Sequence, residues 1–457
     1  MKRKWGAALL ALLICLQLLP LAGCSIESGD GLASLPKLPG EYLALQKKLD
    51  DIMAEGYTQA VAEGGSNRQA VQLQDIDGDG EDEIVSFFRN ATSGEYAVYL
   101  HKKVGDDYVE LGHTRGYGKY LREVSYPCCK SNGAKAIALS WGMEEDNAVT
   151  SAISVHVLTE DGLSDTLAVQ YTNSYIADLN GDSVDEIMLT GFDQKSNAMI
   201  LAAYGFSGDT CALVSQAPLS ADVKNVVHIS RSLGQKGGHT LFIDSLSDSG
   251  GYITDIITME NDTLRNTTLV GDGKRSAATW RPVSILCQDI DNDGMPEVPL
   301  AEMLPGYHDS TSTDTRWKLS WTKFQDGTAY QVAMTTFHSP AEDWYLRWPE
   351  QWGDQVSAVR KNESGIIKTT FLVPAEGANE PLTAGTGNVL LEIWVFTGDN
   401  RRDYFNSSGM TWLKDSDSAI YAYSLPANDY PALTLTDQDV TRAFQTIAKA
   451  WDSEGAY

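Results

Sequence analysis

Hydrophobic and polar residues alternate along this chain in short runs, which is the pattern of half-buried β-strands. The clearest runs are Tyr96–Leu100, Ala152–Val157, Tyr252–Met259, Ile366–Val373, Val389–Phe396 and Ala419–Leu425. Polar segments that contain glycine separate many of the runs, as turns do. The pattern predicts a mainly β protein built from many short strands.

Two segments depart from alternation and place apolar residues at helical spacing. In the segment 41–55 these residues are Tyr42, Leu45, Leu49, Ile52 and Met53. Near the end of the chain they are Val440, Phe444, Ile447 and Trp451. Thr436 can cap this second helix, with Asp439 three residues later. We expect a short helix before the strands and a terminal helix after them.

Three acidic segments interrupt the strand pattern and share the motif D-x-[DN]-x-D-[GS]-x-x-E. They are DIDGDGEDE at 75–83, DLNGDSVDE at 178–186 and DIDNDGMPE at 289–297. Alternate acids place their oxygens on one side of a tight loop, and glycine at the sixth place allows the positive φ of the turn. Hard cations take such oxygen ligands, and Ca²⁺ tolerates irregular geometry better than Mg²⁺ does. The segments predict calcium as cofactor.

Each loop is expected to use the side chains of its first, third, fifth and ninth residues and the backbone carbonyl of its seventh. The predicted metal-site residues are Asp75, Asp77, Asp79, Glu81, Glu83, Asp178, Asn180, Asp182, Val184, Glu186, Asp289, Asp291, Asp293, Met295 and Glu297. The middle loop is expected to bind most weakly, because Asn180 is neutral and Ser183 replaces the glycine. The motif leaves no coordination position open for catalysis, so the predicted role is structural.

The residues around the loops predict strands on both sides. An EF-hand needs helices there and Glu at the twelfth place, where this chain has Ser86, Leu189 and Leu300. Residues 125–141 look like a loop copy without ligands that begins at Cys128, and a fourth copy is expected near His228. A step of about 50 residues is typical of propeller blades with about four strands each.

The acidic loops resemble the calcium loops of FG-GAP/VCBS-type repeats, as in integrin-like β-propellers. The segments LPKLPGEYLALQKKLDDI (35–52) and NRQAVQLQDIDGDGEDEIVSFFR (67–89) also resemble VCBS-repeat lipoproteins of Gram-positive bacteria. The resemblance implies a β-propeller of about 50-residue blades and bound Ca²⁺, and it implies no particular activity. It weakens after residue 335.

The N-terminus has the composition of an export signal. Lys2, Arg3 and Lys4 precede an apolar run that ends in Leu-Ala-Gly-Cys, and this ending resembles the bacterial lipobox, with Cys24 lipidated. An uncleaved membrane anchor is the alternative. The expected organisation is a signal peptide over 1–23, a tether over 24–40, a helix and propeller over 41–335, and a β-rich region over 336–457. The expected location is the outer face of the cell membrane.

The net charge and the composition limit the classes of molecule that this protein is expected to bind. The formal net charge of −27 excludes nucleic acid as a natural partner. Cys128, Cys129, Cys211 and Cys287 are expected to form one or two disulfides or to stay as buried thiols. The aromatic cluster Trp344, Tyr345, Trp348 and Trp352 is either core or an exposed platform for sugar rings.

Motifs of common hydrolases and nucleotide-binding enzymes are missing from the sequence. The first hypothesis is therefore a lipid-anchored, calcium-binding propeller without catalysis that displays a binding surface to a glycan or protein. The alternative is an extracellular hydrolase of glycans or other exopolymers that uses the propeller as a scaffold. A third possibility is a purely structural component of the envelope.

Overall fold

The computed structural model describes residues 40–145, 148–233, 239–269, 274–310, 312–375, 382 and 387–447. The predicted signal, Cys24 and all of the predicted tether except Gly40 lie outside these residues. The chain divides into two compact units. The first contains helix α1 (Gly40–Ala54), as the apolar spacing predicts, and residues 103–109. The second contains residues 56–102 and the chain from 110 onward.

Within the described residues, twenty-seven strands form six antiparallel sheets, which confirms the mainly β prediction. Sheet 1 contains β1 (Tyr57–Gln59), β2 (Val71–Gln74), β3 (Glu83–Asn90), β4 (Tyr96–Val104) and β5 (Asp107–Arg115). Sheet 2 contains β6 (Tyr120–Ser125), β7 (Ile137–Glu145), β8 (Ala148–Thr159) and β9 (Gly162–Tyr171). Sheet 3 contains β10 (Asn173–Ala177), β11 (Glu186–Asp193), β12 (Ala198–Ser207) and β13 (Thr210–Pro218).

The remaining strands form three further sheets. Sheet 4 contains β14 (Val223–Leu233), β15 (His239–Ser247), β16 (Tyr252–Glu260) and β17 (Thr263–Asn266). Sheet 5 contains β18 (Val298–Met303), β19 (Trp317–Gln325), β20 (Thr328–Ser339), β21 (Trp344–Arg347) and β27 (Phe444–Thr446). Sheet 6 contains β22 (Ser357–Glu363), β23 (Ile366–Pro374), β24 (Gly387–Thr397), β25 (Thr411–Asp415) and β26 (Ala419–Ser424).

Most neighbouring strands are consecutive in sequence, so each sheet is a simple meander joined by short turns. Three pairings depart from this order: β1 pairs with β3, β24 pairs with β26, and β27 crosses back over about a hundred residues to pair with β21. Residue 335, where the repeat region is predicted to end, lies within β20. Each sheet is an open path of strands with two edges over the part of the chain that the structure describes.

Successive sheets share hydrophobic cores. Val85 and Phe87 of sheet 1 belong to one cluster with Leu139 and Trp141 of sheet 2. The same relationship continues between each sheet and the next, through four further clusters. These cores order the six sheets in space as they are ordered in sequence. The other face of sheet 6 carries a separate cluster, to which Phe405 of helix α2 (Arg401–Ser408) contributes.

The C-terminal helix begins where the sequence predicts and ends early. Thr436 caps helix α3 (Asp437–Ala443), and the hydroxyl of Thr436 accepts the Asp439 N–H while the Asp439 carboxylate accepts the Thr436 N–H. The predicted stripe through Phe444 is wrong, because Phe444 begins strand β27. The pairing of β27 with β21 outweighs the helical spacing. Residue 451 of the predicted stripe lies outside the described residues.

Two questions that the sequence leaves open are answered by burial. Trp344 and Trp352 are fully buried and Trp348 is nearly so, and all three belong to the core between sheets 5 and 6. Tyr345 is also buried, but it stacks on His338 outside that core. All four cysteines after residue 24 are free thiols, three of them buried.

The expected fourth loop copy at His228 is wrong, because His228 lies within β14. None of the described helices has the length and apolar character needed to cross a membrane.

Candidate metal centres

The acidic segments form loops between β2 and β3 of sheet 1, between β10 and β11 of sheet 3, and directly before β18 of sheet 5. The predicted strand–loop–strand unit is present in the first two, whereas an isolated bridge between Gln288 and Glu297 takes the place of the first strand in the third. The sixth residue has positive φ in all three loops, at 90° for Gly80, 72° for Ser183 and 88° for Gly294. This is the left-handed conformation that the motif predicts, and Ser183 adopts it at a steric cost.

Asp75 organises the backbone of the first loop. Its two carboxylate oxygens accept the N–H groups of Gly78 at 2.8 Å and of Gly80 at 3.0 Å. The carboxylate of Asp79 accepts the N–H of Glu81 at 2.8 Å. These short-range bonds fold the acids toward one another before any ion is considered, which follows from the tendency of Asp to bond its neighbouring backbone.

Glu83 closes the first loop from β3, and Lys102 of β4 faces it. Oε2 of the buried Glu83 accepts the N–H of Ile76 at 2.9 Å. The Lys102 ammonium lies 3.0 Å from Oε1 of Glu83 and 2.6 Å from Asp79, and it also pairs with Asp77. The bond to Asp77 is the largest of several contacts that raise the pKa of Lys102. The ammonium is thus surrounded by the acids predicted to hold the metal.

The third loop repeats this arrangement. Asp289 accepts the N–H groups of Asp293 at 2.9 Å and of Gly294 at 2.8 Å. The Lys323 ammonium of β19 lies 2.9 Å from Asp291 and 3.4 Å from Oε1 of Glu297, and it pairs with Asp293. Burial alone would lower the pKa of Lys323, but the carboxylates outweigh burial and raise it.

The middle loop has the same backbone fold without a lysine. Asp178 accepts the N–H groups of Gly181 at 2.6 Å and of Ser183 at 2.8 Å. The amide of Asn180 donates to Asp182 and, at 3.1 Å, to Asp262 of a different sheet. Burial, followed by repulsion from Asp182 and Asp178, raises the pKa of Glu186 to about 7. Burial likewise raises the pKa of Glu297 to about 7, although Lys323 lies beside it.

The ligand-free copy at 128–133 contacts both neighbouring loops. Cys128 pairs with Lys135 across a tight turn, and Gly133 has a φ of 92°. The amide of Asn132 donates to the backbone of Asp77 in the first loop. A Cβ on Gly78 would lie 2.8 Å from the backbone nitrogen of Ala134, so this glycine is required by close approach as well as by its φ of 78°.

Two clusters fit a divalent cation over the part of the chain that the structure describes. Asp75, Asp77 and Glu83 each bring one oxygen within 4.8 Å of the others, and Asp289, Asp291 and Glu297 do the same. Oε1 of Glu83 and Oε1 of Glu297 are buried and accept no hydrogen bond. The donors are carboxylates only, as Ca²⁺ and Mg²⁺ prefer.

Six of the fifteen predicted ligands converge in these two clusters, and two important residues are missing from the prediction. Asp79 and Asp293 approach their clusters through the shared lysines, whereas the acids of the middle loop form no such group among the described residues. Glu81, Val184 and Met295 donate their N–H groups to the fifth-position acid, and their predicted carbonyl ligation stays a prediction. Lys102 follows the paired residue His101, and Lys323 follows the paired residue Thr322. Only the register of these sheets places the two lysines beside the loops.

A second candidate site lies where sheets 5 and 6 meet. A cavity of about 440 Å³ is lined by residues that include Arg316, Trp317, Ser339, Glu342 and Arg360. A cavity of about 340 Å³ shares Arg316 and Arg360 with it. Cavities of this size accommodate small molecules.

The two arginines are held by different contacts. Both oxygens of the buried Glu342 are engaged, one by the Ser339 hydroxyl and the other by Arg360. Arg316 donates through one guanidinium nitrogen to the carbonyls of Thr313 and Thr315 at 3.0 Å each. Its Nε is buried and has no hydrogen-bond partner. No sequence motif points to this site, because the arginines lie on separate sheets.

Comparison with known proteins returns no matching family and no matching curated sequence. Among solved structures, the chain is similar to rhamnogalacturonan lyase YesW at 10% identity, covering 85% of this chain and 77% of that one, with a TM-score of 0.27. A rhamnogalacturonan lyase of Bacillus licheniformis matches at 11% identity, 81% and 72% coverage and a TM-score of 0.25. An α-L-arabinanase of Penicillium chrysogenum matches at 9% identity, 80% and 93% coverage and a TM-score of 0.24.

These comparisons correct two expectations from the sequence. The resemblance to FG-GAP/VCBS repeats is wrong, because no family model matches the chain. The expectation that the protein is not an enzyme is also corrected by the comparison, because the three similar structures named above are enzymes. At TM-scores of 0.27 or below, they support no argument about the reaction of this chain.

Proposed function

We propose that this protein acts on an acidic glycan outside the cytoplasm, in the cleft between sheets 5 and 6. The observation that carries the proposal is that two guanidinium groups, those of Arg316 and Arg360, line one cavity of about 440 Å³. Arginine binds carboxylates through paired N–H groups. The indole of Trp317 in the same cavity offers a face on which a sugar ring can stack.

Glu342 has a positioning role in this proposal. Its two oxygens are occupied by Ser339 and Arg360, so the carboxylate holds the Arg360 guanidinium at the cavity wall. A strongly acidic protein that must bind an anionic polymer needs such a local concentration of positive charge. The uronate groups of an acidic glycan supply the matching negative charge.

Binding and depolymerisation assays with matched variants test this function. Polymers with and without uronate groups are compared for binding and for release of reducing ends. We expect binding of the uronate polymer to fall at least about tenfold in Arg316→Met, from the loss of a charged hydrogen bond. Arg347→Met is the control, because Arg347 is exposed at the end of β21. Equal loss in the control, or equal binding of the neutral polymer, would contradict the proposal.

Calcium is the proposed cation of the first and third loops, with a structural role. The support is the all-carboxylate donor set and the two buried Glu oxygens that accept no hydrogen bond. When the free ion is present at about 100 times its Kd, its binding stabilises the folded chain by about 2.7 kcal/mol. Calorimetric titration of the metal-free protein with CaCl₂ tests the site. Absence of heat and an unchanged Tm would overturn it.

Export and lipidation at Cys24 remain part of the proposal, since an exported protein meets both calcium and glycans. Metabolic labelling with a fatty acid, compared between the wild type and Cys24→Ser, tests them. The arrangement of the six sheets as blades around an axis is also a proposal. Its support is the four-stranded meander and the core that each sheet shares with the next. A crystal structure of the protein with CaCl₂ tests that arrangement.

A further inference from the structure

Two acidic loops in different sheets each face a lysine at the same place in the neighbouring strand. Ile84 pairs with His101, and the next residue is Lys102. Val298 pairs with Thr322, and the next residue is Lys323. Sheets 1 and 5 therefore place an ammonium opposite the ninth residue of the loop, by the same register.

In the middle loop, the position that corresponds to these lysines is occupied by glycine. Ile187 pairs with Tyr204, and the next residue is Gly205. At the four side-chain ligand positions this loop also has one carboxylate fewer, because Asn180 occupies its third place. At those positions, four carboxylates with one ammonium and three carboxylates without one have the same net charge. A lysine faces the two loops that have the additional ligand-position acid, and Gly205 faces the loop that lacks it.

We propose that Lys102 and Lys323 are built-in counter-ions of these loops and that a divalent cation enters by displacing the ammonium. This inference rests on the cation binding proposed above. Each ammonium contacts the third, fifth and ninth acids of its loop, and two of these acids belong to the cluster that fits a metal. The ammonium and a metal ion therefore compete for the same oxygens.

The ninth-position glutamates show that the ammonium does not saturate the loops. Oε1 of Glu83 and Oε1 of Glu297 are buried and accept no hydrogen bond, although the lysines lie 3.0 and 3.4 Å away. A divalent cation, with its higher charge and larger number of ligands, can use these oxygens more fully. The lysines thus keep the loops folded without metal and lower their affinity for it.

Removal of the lysines tests the competition. Full-length protein is titrated with CaCl₂ by calorimetry after chelation, as the wild type, Lys102→Met and Lys323→Met. We expect each variant to bind Ca²⁺ at least about tenfold more tightly at one site and to have a lower Tm in excess chelator. Lys102→Gln, which keeps a donor without the charge, replaces Lys102→Met if that variant does not fold.

Two matched variants serve as controls. Lys318→Met removes a lysine of the same strand whose partners, Glu302 and Asp354, lie outside the loops, and its calcium binding should match the wild type. Gly205→Lys adds an ammonium opposite Glu186 of the middle loop, which forms no metal cluster among the described residues, and should leave calcium binding at the first and third loops unchanged. A Cβ at this position would lie 2.8 Å from the exposed side chain of Val214, which can move.

The outcomes separate this inference from the proposed calcium function. Unchanged or weaker calcium binding in folded Lys102→Met and Lys323→Met would overturn the displacement. Calcium binding in the variants alone would support the displacement and contradict calcium binding by the wild type at these loops. Absence of calcium binding in every form would overturn both.

Discussion

The ammonium of Lys102 lies 3.0 Å from the buried Oε1 of Glu83, at the point where β4 passes the acidic loop. Oε2 of the same carboxylate accepts the N–H of Ile76. Glu83 thus joins the loop backbone to the neighbouring strand, and this contact gives the acidic segment a structural role even without a metal ion.

Replacement of this carboxylate should destabilise the metal-free protein. Glu83→Gln puts an amide NH₂ beside the Lys102 ammonium or beside the backbone donors, so one buried contact is lost. We expect the free energy of unfolding to fall by about 1–3 kcal/mol, measured by urea denaturation in excess chelator. Glu81→Gln in the same loop is exposed and should change it by less than about 0.5 kcal/mol. Equal effects would show that Glu83 is no more than another surface charge.

The core between sheets 5 and 6 depends on Trp352. Its ring is fully buried against Trp348 and Phe371, and its indole N–H donates to the Leu433 carbonyl at 2.9 Å. Trp352→Ala leaves a large cavity and an unpaired carbonyl, and it should cost about 3–5 kcal/mol of stability in chemical denaturation.

The control for this change is another tryptophan in a different environment. Trp412 is 55% exposed on β25. Trp412→Ala should therefore shift stability by about 0.5 kcal/mol or less. A similar loss in both variants would contradict the assignment of the aromatic cluster as core.

A buried ion pair holds sheet 4 to the segment before sheet 5. Arg281 and Asp244 are both fully buried and lie 2.8 Å apart, and Asp244 also accepts the N–H of Cys287 at 2.7 Å. Burial alone would raise the pKa of Asp244, but the Arg281 charge outweighs burial and holds that pKa well below its usual range.

Arg281→Met should leave Asp244 buried without its partner and cost about 3–5 kcal/mol in a denaturation experiment. Lys361→Met breaks an ion pair between two exposed side chains, Lys361 and Glu363, and should cost less than about 1 kcal/mol. If the two variants lose the same stability, the buried pair has no special role.

His338 predicts a pH dependence of stability. Burial lowers the pKa of His338 to about 3, from a model-compound value of 6.5. Below pH 6.5 the unfolded chain takes up a proton that the folded chain refuses, so stability is complete above 6.5 and is lost as pH falls toward 3. The slope is at most about 1.4 kcal/mol per pH unit.

His338→Phe keeps a ring that can pack on Tyr345, whose ring centroid lies 5.1 Å away, and removes the titrating group. We expect the variant to lose less stability than the wild type between pH 6.5 and 5, a range above the usual pKa of carboxylates. Parallel pH profiles of the two proteins would contradict this origin.

Local features of the fold and of the loops could be predicted from the sequence. The motif gives the strand–loop–strand unit and the positive φ of Gly80, and the Thr436 cap gives the start of α3. These features depend on residues within a few positions of one another. The hydrogen bonds and backbone preferences of these neighbouring residues form the loop turn and the helix cap, and distant parts of the chain do not change them.

The features that could not be predicted depend on distant partners. Lys102 reaches its loop through the register of β3 with β4, and the bulge that shifts β19 against β20 shows how one extra residue changes such a register. Phe444 has helical spacing, but it pairs in a strand with Leu346, about a hundred residues earlier. The arginines of the cleft come together only because sheets 5 and 6 share a core.

The return of β27 to β21 ties the order of synthesis to the order of folding. The ribosome releases all of sheet 6 before residues 444–446 emerge, so the outer edge of β21 has no strand beside it until those residues leave the ribosome. An unpaired edge can recruit strands from other chains. A nascent chain that is cut short before Phe444 would therefore expose an aggregation-prone edge, which gives the cell a reason to degrade incomplete copies.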